Sequence, residues 1–235
     1  MDNTNYISLS VQTALRRQMD IIAHNLANVE TGAFKSEKPI FIEVLDETGD
    51  VAYVEDYGVV RDMSAGHLTV TGSQLDVAIQ GDGFLAVEAN GEIRYTRNGH
   101  LQLNADRDLV TSTGYPVMDV DERDIEIPPG NDNLTISPDG TVSGALGPIA
   151  RIDLVTFENP LALKRAADSL YVASAEPIEA EDASLIQGAL ESSNVKPIIE
   201  FTDMINVHRA YQSNTKLAET EHQLTLDTID KVIQA

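Results

Sequence analysis

The stretch LRRQMDIIAHNLANV, residues 15–29, decides how this chain is built. Leu15, Met19, Ile22, Leu26 and Val29 recur at intervals of four, three, four and three, and Ile7 and Val11 carry the stripe back toward the start. At 3.6 residues per turn that spacing places the apolar side chains on one face, so the segment reads as an amphipathic helix of roughly 23 residues. Asn3 or Thr4 is the expected cap and Thr31-Gly32 the expected stop.

The far end of the sequence mirrors this. Ile198 to Ala235 contains neither Gly nor Pro, and Pro197 suits a first helical turn. Phe201, Met204, His208 and Tyr211 recur at three, four and three, while Ala210, Leu217 and Leu224 recur at seven. A helix of about 38 residues is roughly 57 Å long, more than a small globular core covers. Its natural partner is the first helix, in a coiled-coil-like pair.

Between the helices the pattern switches to period two. Leu75 to Ile79 alternates, Gly81-Asp82-Gly83 turns into Phe84 to Val87, and Asn90-Gly91 is a strong hairpin signal before Ile93 to Thr96. Asn98-Gly99 reads as a second hairpin turn leading to Leu101–Leu103. Short strands are expected at 109–111, 117–120, 125–127, 134–136 and 142, with Pro138-Asp139-Gly140 as a turn. Ile149 to Phe157 alternates over its length, and Leu170–Val172 closes the set. The expected class is α+β, with a discontinuous helical unit (1–36 with 189–235), an extended connector with a hairpin (37–74), and an inserted all-β domain (75–188) of antiparallel sandwich or barrel type.

Charge is distributed unevenly over this plan. The chain carries a formal −22. Residues 1–40 hold four basic and four acidic side chains and residues 189–235 hold four and seven, leaving eight against twenty-seven for 41–188. Nucleic acid is excluded as a partner, because neutralising phosphates takes clustered Lys and Arg. Near-neutral ends around an acidic middle suit a polymer whose copies pack through their ends; an acidic domain that is merely soluble would carry the same charge.

Cysteine is absent, so there is neither a disulfide framework nor a thiolate metal site. No stretch of 18 apolar residues spans a membrane, and the first thirty residues lack the pattern of a cleaved secretory signal. Direct membrane insertion is not expected. Any exit from the cytoplasm is expected to leave the N-terminus intact.

Chemistry-bearing patterns are weak. Asp119, Asp121, Glu122 and Asp124 are the densest acidic cluster, but no Gly follows at the calcium-loop position and Arg123 sits among them, so a solvated turn is expected. His24, His67, His100, His208 and His222 show no metal-ligand spacing, and His208 reads as a core or interface residue. No nucleophile elbow or phosphate-binding loop is present, and Gly81-Asp82-Gly83 lies between strands. No catalytic, metal or cofactor residue is assigned, and no enzyme activity is expected.

Three separated motifs then carry a resemblance. Ala23-His24-Asn25-Leu26-Ala27-Asn28-Val29-Glu30-Thr31 with Phe34-Lys35, Leu75 to Phe84 with Tyr95-Thr96-Arg97-Asn98-Gly99, and Gly188 to Val195 with Met204-Ile205 and Arg209-Ala210-Tyr211 together resemble the signatures of the flagellar basal-body rod and hook proteins, in that order. Within that family the length, the start Met1-Asp2-Asn3 and the string Ser193-Asn194-Val195-Lys196-Pro197 look like the proximal-rod type, with the distal-rod type as the alternative. A periplasmic β-domain binding module would leave both amphipathic ends unexplained. His24, His208 and Gln212 depart from the family pattern, and Gly32-Ala33 puts the turn glycine one place early; Gly32 is expected to take the left-handed turn.

The resemblance implies a structural subunit exported by the flagellar type III apparatus. It would polymerise with its own copies and with other proximal and distal rod subunits in the periplasm-spanning basal body. The expected axial packing residues are Ile7, Val11, Leu15, Met19, Ile22, Asn25, Leu26, Asn28, Val29, Asn194, Val195, Phe201, Met204, Ile205, His208, Tyr211, Leu217 and Leu224. Asn25, Asn28 and Asn194 suit interhelical hydrogen bonds that fix register, and Asn28 suits equally a helix end. The terminal helices are expected to become rigid on assembly.

Overall fold

Helix α1 (Asp2–Ala27) and, at the other end of the chain, helix α2 (Pro197–Ile233) occupy the two stretches of helical period. The computed structural model describes residues 2–45, 52–131 and 133–233, and side chains from Tyr6 to Thr228. Asn3 and Thr4 therefore lie within α1 with their side chains outside that description, and Gln234 and Ala235, the last two residues of the expected second helix, lie outside the described residues.

Between the helices run β1 (Glu37–Leu45), β2 (Ala52–Arg61), β3 (Leu68–Val70), β4 (Val77–Gln80), β5 (Phe84–Ala89), β6 (Glu92–Thr96), β7 (Leu101–Leu103) and β8 (Leu109–Thr111). They are followed by β9 (Thr135–Ile136), β10 (Thr141–Gly144), β11 (Gly147–Arg151), β12 (Leu154–Thr156), β13 (Lys164–Arg165), β14 (Leu170–Val172), β15 (Ile178–Glu179), β16 (Ser184–Gln187) and β17 (Ala189–Glu191). The chain forms two compact units. A helical unit takes Met1–Ala27, Glu37–Asp62 and Lys196–Ala235; a β unit takes Asn28–Ser36 and Met63–Val195. Against the expected boundaries, the segments 28–36 and 189–195 go with the strands, because β17 pairs with β3 and the Glu191 carbonyl accepts the Ala33 N–H at 2.8 Å.

In the helical unit α1 and α2 run antiparallel. Ser8 bonds Asn214 near one end and Asn25 bonds Glu200 near the other. The β1–β2 hairpin lies on α1, held by Arg17–Asp56 at 3.1 Å and by Asn25 bracketing the Glu37 backbone. Its register shifts after Ile40, which pairs with Gly58 while Phe41 pairs with Asp56, so Tyr57 is the extra residue of a bulge.

In the β unit an antiparallel sheet ordered β13-β14-β6-β5-β12-β15 forms the centre. Strand β5 is buried on both faces. Leu85 and Val87 enter the main core with Val77, Leu109, Ile127 and Ile152, while Phe84 and Ala86 enter a second core with Tyr95, Phe157 and Tyr171. Phe84 meets Phe157 and Tyr171 edge-on at 5.9 and 5.7 Å. A three-stranded sheet β11-β10-β9 and the pairs β16-β4, β17-β3 and β7-β8 surround it. The described strands form open sheets and do not close into a barrel.

Several local expectations resolve differently. Asn90-Gly91 does make the β5–β6 hairpin, with φ of 57° and 78° as that turn requires. Asn98-Gly99 makes no hairpin: β6 pairs with β5 and β14, β7 with β8, and Gly99 gives its carbonyl to the Val77 N–H at 2.9 Å. The run Ile149 to Phe157 is split, because Ile152 N–H bonds the Gly140 carbonyl whereas Asp153 N–H bonds that of Met118. Residues 117–119 hold isolated bridges in place of the expected strand at 117–120, and the expected strand at 125–127 is reduced to a single bridge from Glu126 to Asp108. The span expected as a connector also supplies β3.

Candidate functional site

The helix seam follows from small and polar residues as much as from the large apolar ones. Ser8, Ala14, Ile21, Ile22 and Asn25 are buried on α1, and Val207 on α2. Glu200, Met204, Tyr211, Asn214, Ala218, Glu221 and Thr225 continue the α2 side half-buried. Those positions advance by threes and fours, as a seam between helices requires. Of the expected packing residues, Ile22 and Asn25 are buried, and Ile7, Val11, Leu15, Met19, Leu26, Met204 and Tyr211 are half-buried. Ile7, Val11 and Leu217 line a groove of about 180 Å³ beside Ser8, Asn214 and Ala218.

Asn25 is the polar centre of this seam. Its amide nitrogen donates to the Glu37 carbonyl at 2.9 Å and to Glu200 Oε2 at 3.2 Å, and its oxygen accepts the Glu37 N–H. Burial pushes the Glu200 carboxyl up; the Asn25 bond pulls it down, Asp203 raises it and Lys38 lowers it, leaving it above its ordinary value.

Of the other expected α2 residues, Phe201 and Ile205 are 58 and 52 % exposed and His208 and Leu224 are exposed too, while Leu217, also exposed, lines the seam groove. Ile198, outside the expected set, is 83 % exposed. Ile198, Phe201 and Ile205 stand at i, i+3 and i+7, which puts them on one face. The seam residues Glu200, Met204 and Val207 lie to one side of that stripe, Met204 bordering it.

Asn28, Val29, Asn194 and Val195 fall in the β unit. Asn28 ends α1: its carbonyl accepts the Thr31 N–H and its side-chain oxygen the Thr31 hydroxyl, both at 3.2 Å. The left-handed residue is Ala33, φ 54°, and not the expected Gly32. Gly32 serves close approach, since a Cβ there would come within 3.1 Å of Asn98 Oδ1. Val29 lines an open cavity of about 560 Å³ with Thr69, His100 and Ser192. Val195 is buried, and Asn194 ties strands of chain together: it accepts the Ser36 N–H at 2.7 Å and donates to the Ser64 carbonyl at 3.1 Å.

Beside Asn194 lies a buried ion cluster that reading the sequence did not assemble. Glu191 receives Lys35 Nζ at 2.6 Å, Arg97 Nε at 3.2 Å and the Gly66 N–H at 2.8 Å. The three side chains are 1, 0 and 4 % exposed in that order. Arg97 also donates to the carbonyls of Gly81 and Gly83, and Lys35 to that of Ser64. Burial alone would push the Glu191 carboxyl up, but Arg97, Lys35 and the Gly66 N–H outweigh it and hold it below the ordinary range. The signal was present, one charged residue in each of the three motifs, but nothing local says that they meet.

The acidic cluster behaves as a turn. Asp119 Oδ1 accepts the N–H groups of Asp121 and Arg123, and the Arg123 guanidinium bonds Asp119 and Asp121. Nearby, burial followed by Glu122 and Glu179 pushes the Asp153 carboxyl up to about 6. Among the described residues no group of three or more His, Asp and Glu is arranged to hold a metal ion, and no helix is long and apolar enough to cross a membrane.

Comparison with known proteins decides the family. Residues 78–144 match the model of the flagellar hook protein FlgE/F/G D1 domain, and residues 186–230 that of the flagellar basal body rod FlgEFG protein C-terminal region. The chain is 38 % identical over 243 residues to the flagellar basal-body rod protein FlgF of Caulobacter vibrioides, covering 99 % of this chain and 98 % of that one. It belongs to the flagellar basal-body rod protein family. FlgF of Rhizobium meliloti is 31 % identical over 97 % of this chain and 95 % of its own length, and FlgG of Buchnera aphidicola subsp. Schizaphis graminum 33 % over 93 % and 95 %. This rod-family member is FlgF-like, a structural subunit of the basal body that assembles with other rod components. The three sequence motifs fall in both units of its fold, the first and last each crossing from one to the other.

Proposed function

We propose that this chain is a proximal-rod subunit that polymerises, with copies of itself and with neighbouring rod subunits, through the outward face of its helical unit. The carrying observation is the Ile198, Phe201 and Ile205 stripe. Three large apolar side chains at helical spacing stay in water on a helix whose seam side is already paired. Burying such a stripe against other helices yields a stiff axial tube, as torque transmission needs, and most of the chain's negative charge belongs to the β unit and not to the helical one. The 38 % identity to a FlgF supports the proximal position over the distal one, where the FlgG likeness is 33 %. Export through the flagellar type III apparatus, a site in the periplasm-spanning rod and a non-catalytic role complete the reading.

The test is the double variant Phe201→Asp with Ile205→Asp in the full chain. Its far-UV circular dichroism is expected to match the parent, while the chain disappears from purified basal bodies and cells stop swimming. Incorporation at parental level would overturn the reading.

A further inference from the structure

We infer that the outward stripe seats on a second copy of this chain: Ile198, Phe201 and Ile205 of one subunit dock in the groove between α1 and β2 of the next. The inference rests on the stripe of the proposed function and names what covers it. The groove is open, holds about 620 Å³ between the early turns of α1 and strand β2, and is lined by Tyr6, Leu9, Tyr53 and Val54. Tyr6 and Leu9 are as exposed as Phe201, at 61 and 59 %. A benzene-sized group fills about 150 Å³, so the groove has room for three large apolar side chains. Anchors at i, i+3 and i+7 are the form in which a helix fills such a groove.

Charge matches across the contact. Ile205 is followed on the same face by Arg209 at i+4 and Lys216 at i+11, both exposed, and these are two of the three Lys and Arg residues of α2. The acidic residues of the same stretch, Glu200 and Asp203, stand about 100° or more around the axis from each residue of the stripe. The groove answers with Glu55 and Asp56 on its rim. Asp56 already pairs with Arg17, and Glu55 pairs with no cation among the described residues. An apolar stripe extended by cations thus meets an apolar groove rimmed by carboxylates, an arrangement that steers encounter and fixes register.

Stripe and groove belong to one helical unit but to different levels of it. Leu9 and Thr13 stand beside Tyr211, and Ser8 bonds Asn214, so the groove lies level with residues 211–214 of α2. Phe201 is ten residues short of Tyr211, about 15 Å along the axis. No copy can fill its own groove. Docking therefore uses the stripe of one copy and the groove of another, and leaves one of each free on the pair. Such a contact builds a ring or an open helix of copies and never a closed two-fold dimer.

The experiment exploits the absence of cysteine. The full chain is prepared as Leu9→Cys, as Phe201→Cys and as the double variant, checked by far-UV circular dichroism and oxidised with copper–phenanthroline. A disulfide allows a Cα separation of about 4.4–6.8 Å, which Leu9 and Phe201 of one copy exceed, so every bond joins two copies. The double variant is expected to give a ladder of dimers, trimers and higher species, and an equal mixture of the two single variants is expected to give dimers alone. Each single variant by itself is expected to give less than about one-tenth of that dimer. Adding Glu55→Lys is expected to cut the ladder at least about threefold, and adding Arg209→Glu to that chain to restore it. A double variant that stays monomeric overturns the inference, as does one whose product matches either single variant, the sign of a two-fold contact, or a ladder that Glu55→Lys leaves undiminished. Should a cysteine variant misfold, a benzophenone photo-crosslinker placed at Tyr6 decides: an adduct of two copies through residues 198–205 supports the inference, and an adduct elsewhere on a copy or to a chain of another mass overturns it. If the ladder is missing while Phe201→Asp with Ile205→Asp is still shut out of basal bodies, the groove falls and the axial reading stands. Parental incorporation of that Asp pair removes both.

Discussion

Asn25 and Glu200 are hydrogen-bonded across the antiparallel helix seam at 3.2 Å, although 175 positions separate them in sequence. The same amide brackets the backbone of Glu37, so one buried side chain joins α1, α2 and the first strand. Asn25→Leu leaves those partners without it, and the helical unit is expected to lose roughly 2–3 kcal/mol in urea denaturation. The loss is expected to be larger at pH 7.5 than at pH 5, because the amide bond favours the ionised Glu200 carboxylate.

Val207 is buried on α2 and Phe201 exposed, and their truncations separate folding from assembly. Val207 is buried in the seam, so Val207→Ala is expected to cost roughly 2 kcal/mol. Phe201→Ala is expected to leave the stability of the free subunit within about 0.5 kcal/mol and to reduce incorporation into basal bodies. Urea curves beside basal-body composition check both.

Ala33 holds a left-handed backbone at φ 54°, where its Cβ crowds the following carbonyl. Ala33→Gly is expected to stabilise the β unit by about 1 kcal/mol, less the extra entropy glycine brings to the unfolded chain. A thermal melt shows the sign directly.

Gly99 has no room for a side chain, since a Cβ would lie 1.8 Å from the Val77 carbonyl oxygen. Backbone cannot yield as a flexible side chain can. Gly99→Ala is expected to destabilise the β unit by about 3 kcal/mol, read as a lower denaturation midpoint with the helices' far-UV signal retained longer.

Asp153 gives the β unit a pH dependence. Its carboxyl is pushed up to about 6, so the folded state binds the proton more tightly than the unfolded chain does. Protonation therefore stabilises the fold below that value, and the contribution is lost as pH rises through about 6. Allowing for screening at a half-exposed group, the change is about 1 kcal/mol. Asp153→Asn is expected to flatten the stability profile between pH 5 and 7.5 and to exceed the parent at the upper end.

The two helices, their near-full lengths and the Asn90-Gly91 hairpin were legible because period and turn chemistry are local: they depend on residues three, four or two positions apart. So was the family, since its motifs are strings. The inner face of each helix was legible only in part. A stripe from Leu15 to Val29 shows which side is apolar, but pairing with α2 selects Ser8, Ala14 and Ile21, where small side chains let the helices approach, and turns Phe201 and Ile205 outward. The left-handed residue at 33 and the close approach at Gly99 were decided by neighbours distant in the chain, Glu191 and Val77. The Lys35–Glu191 bond spans 156 positions, and no local pattern encodes a contact of that range. Local sequence settled the two helices, the Asn90-Gly91 hairpin and the α+β class; which charges are buried together was decided by tertiary structure alone, because the contacts join residues far apart in the chain.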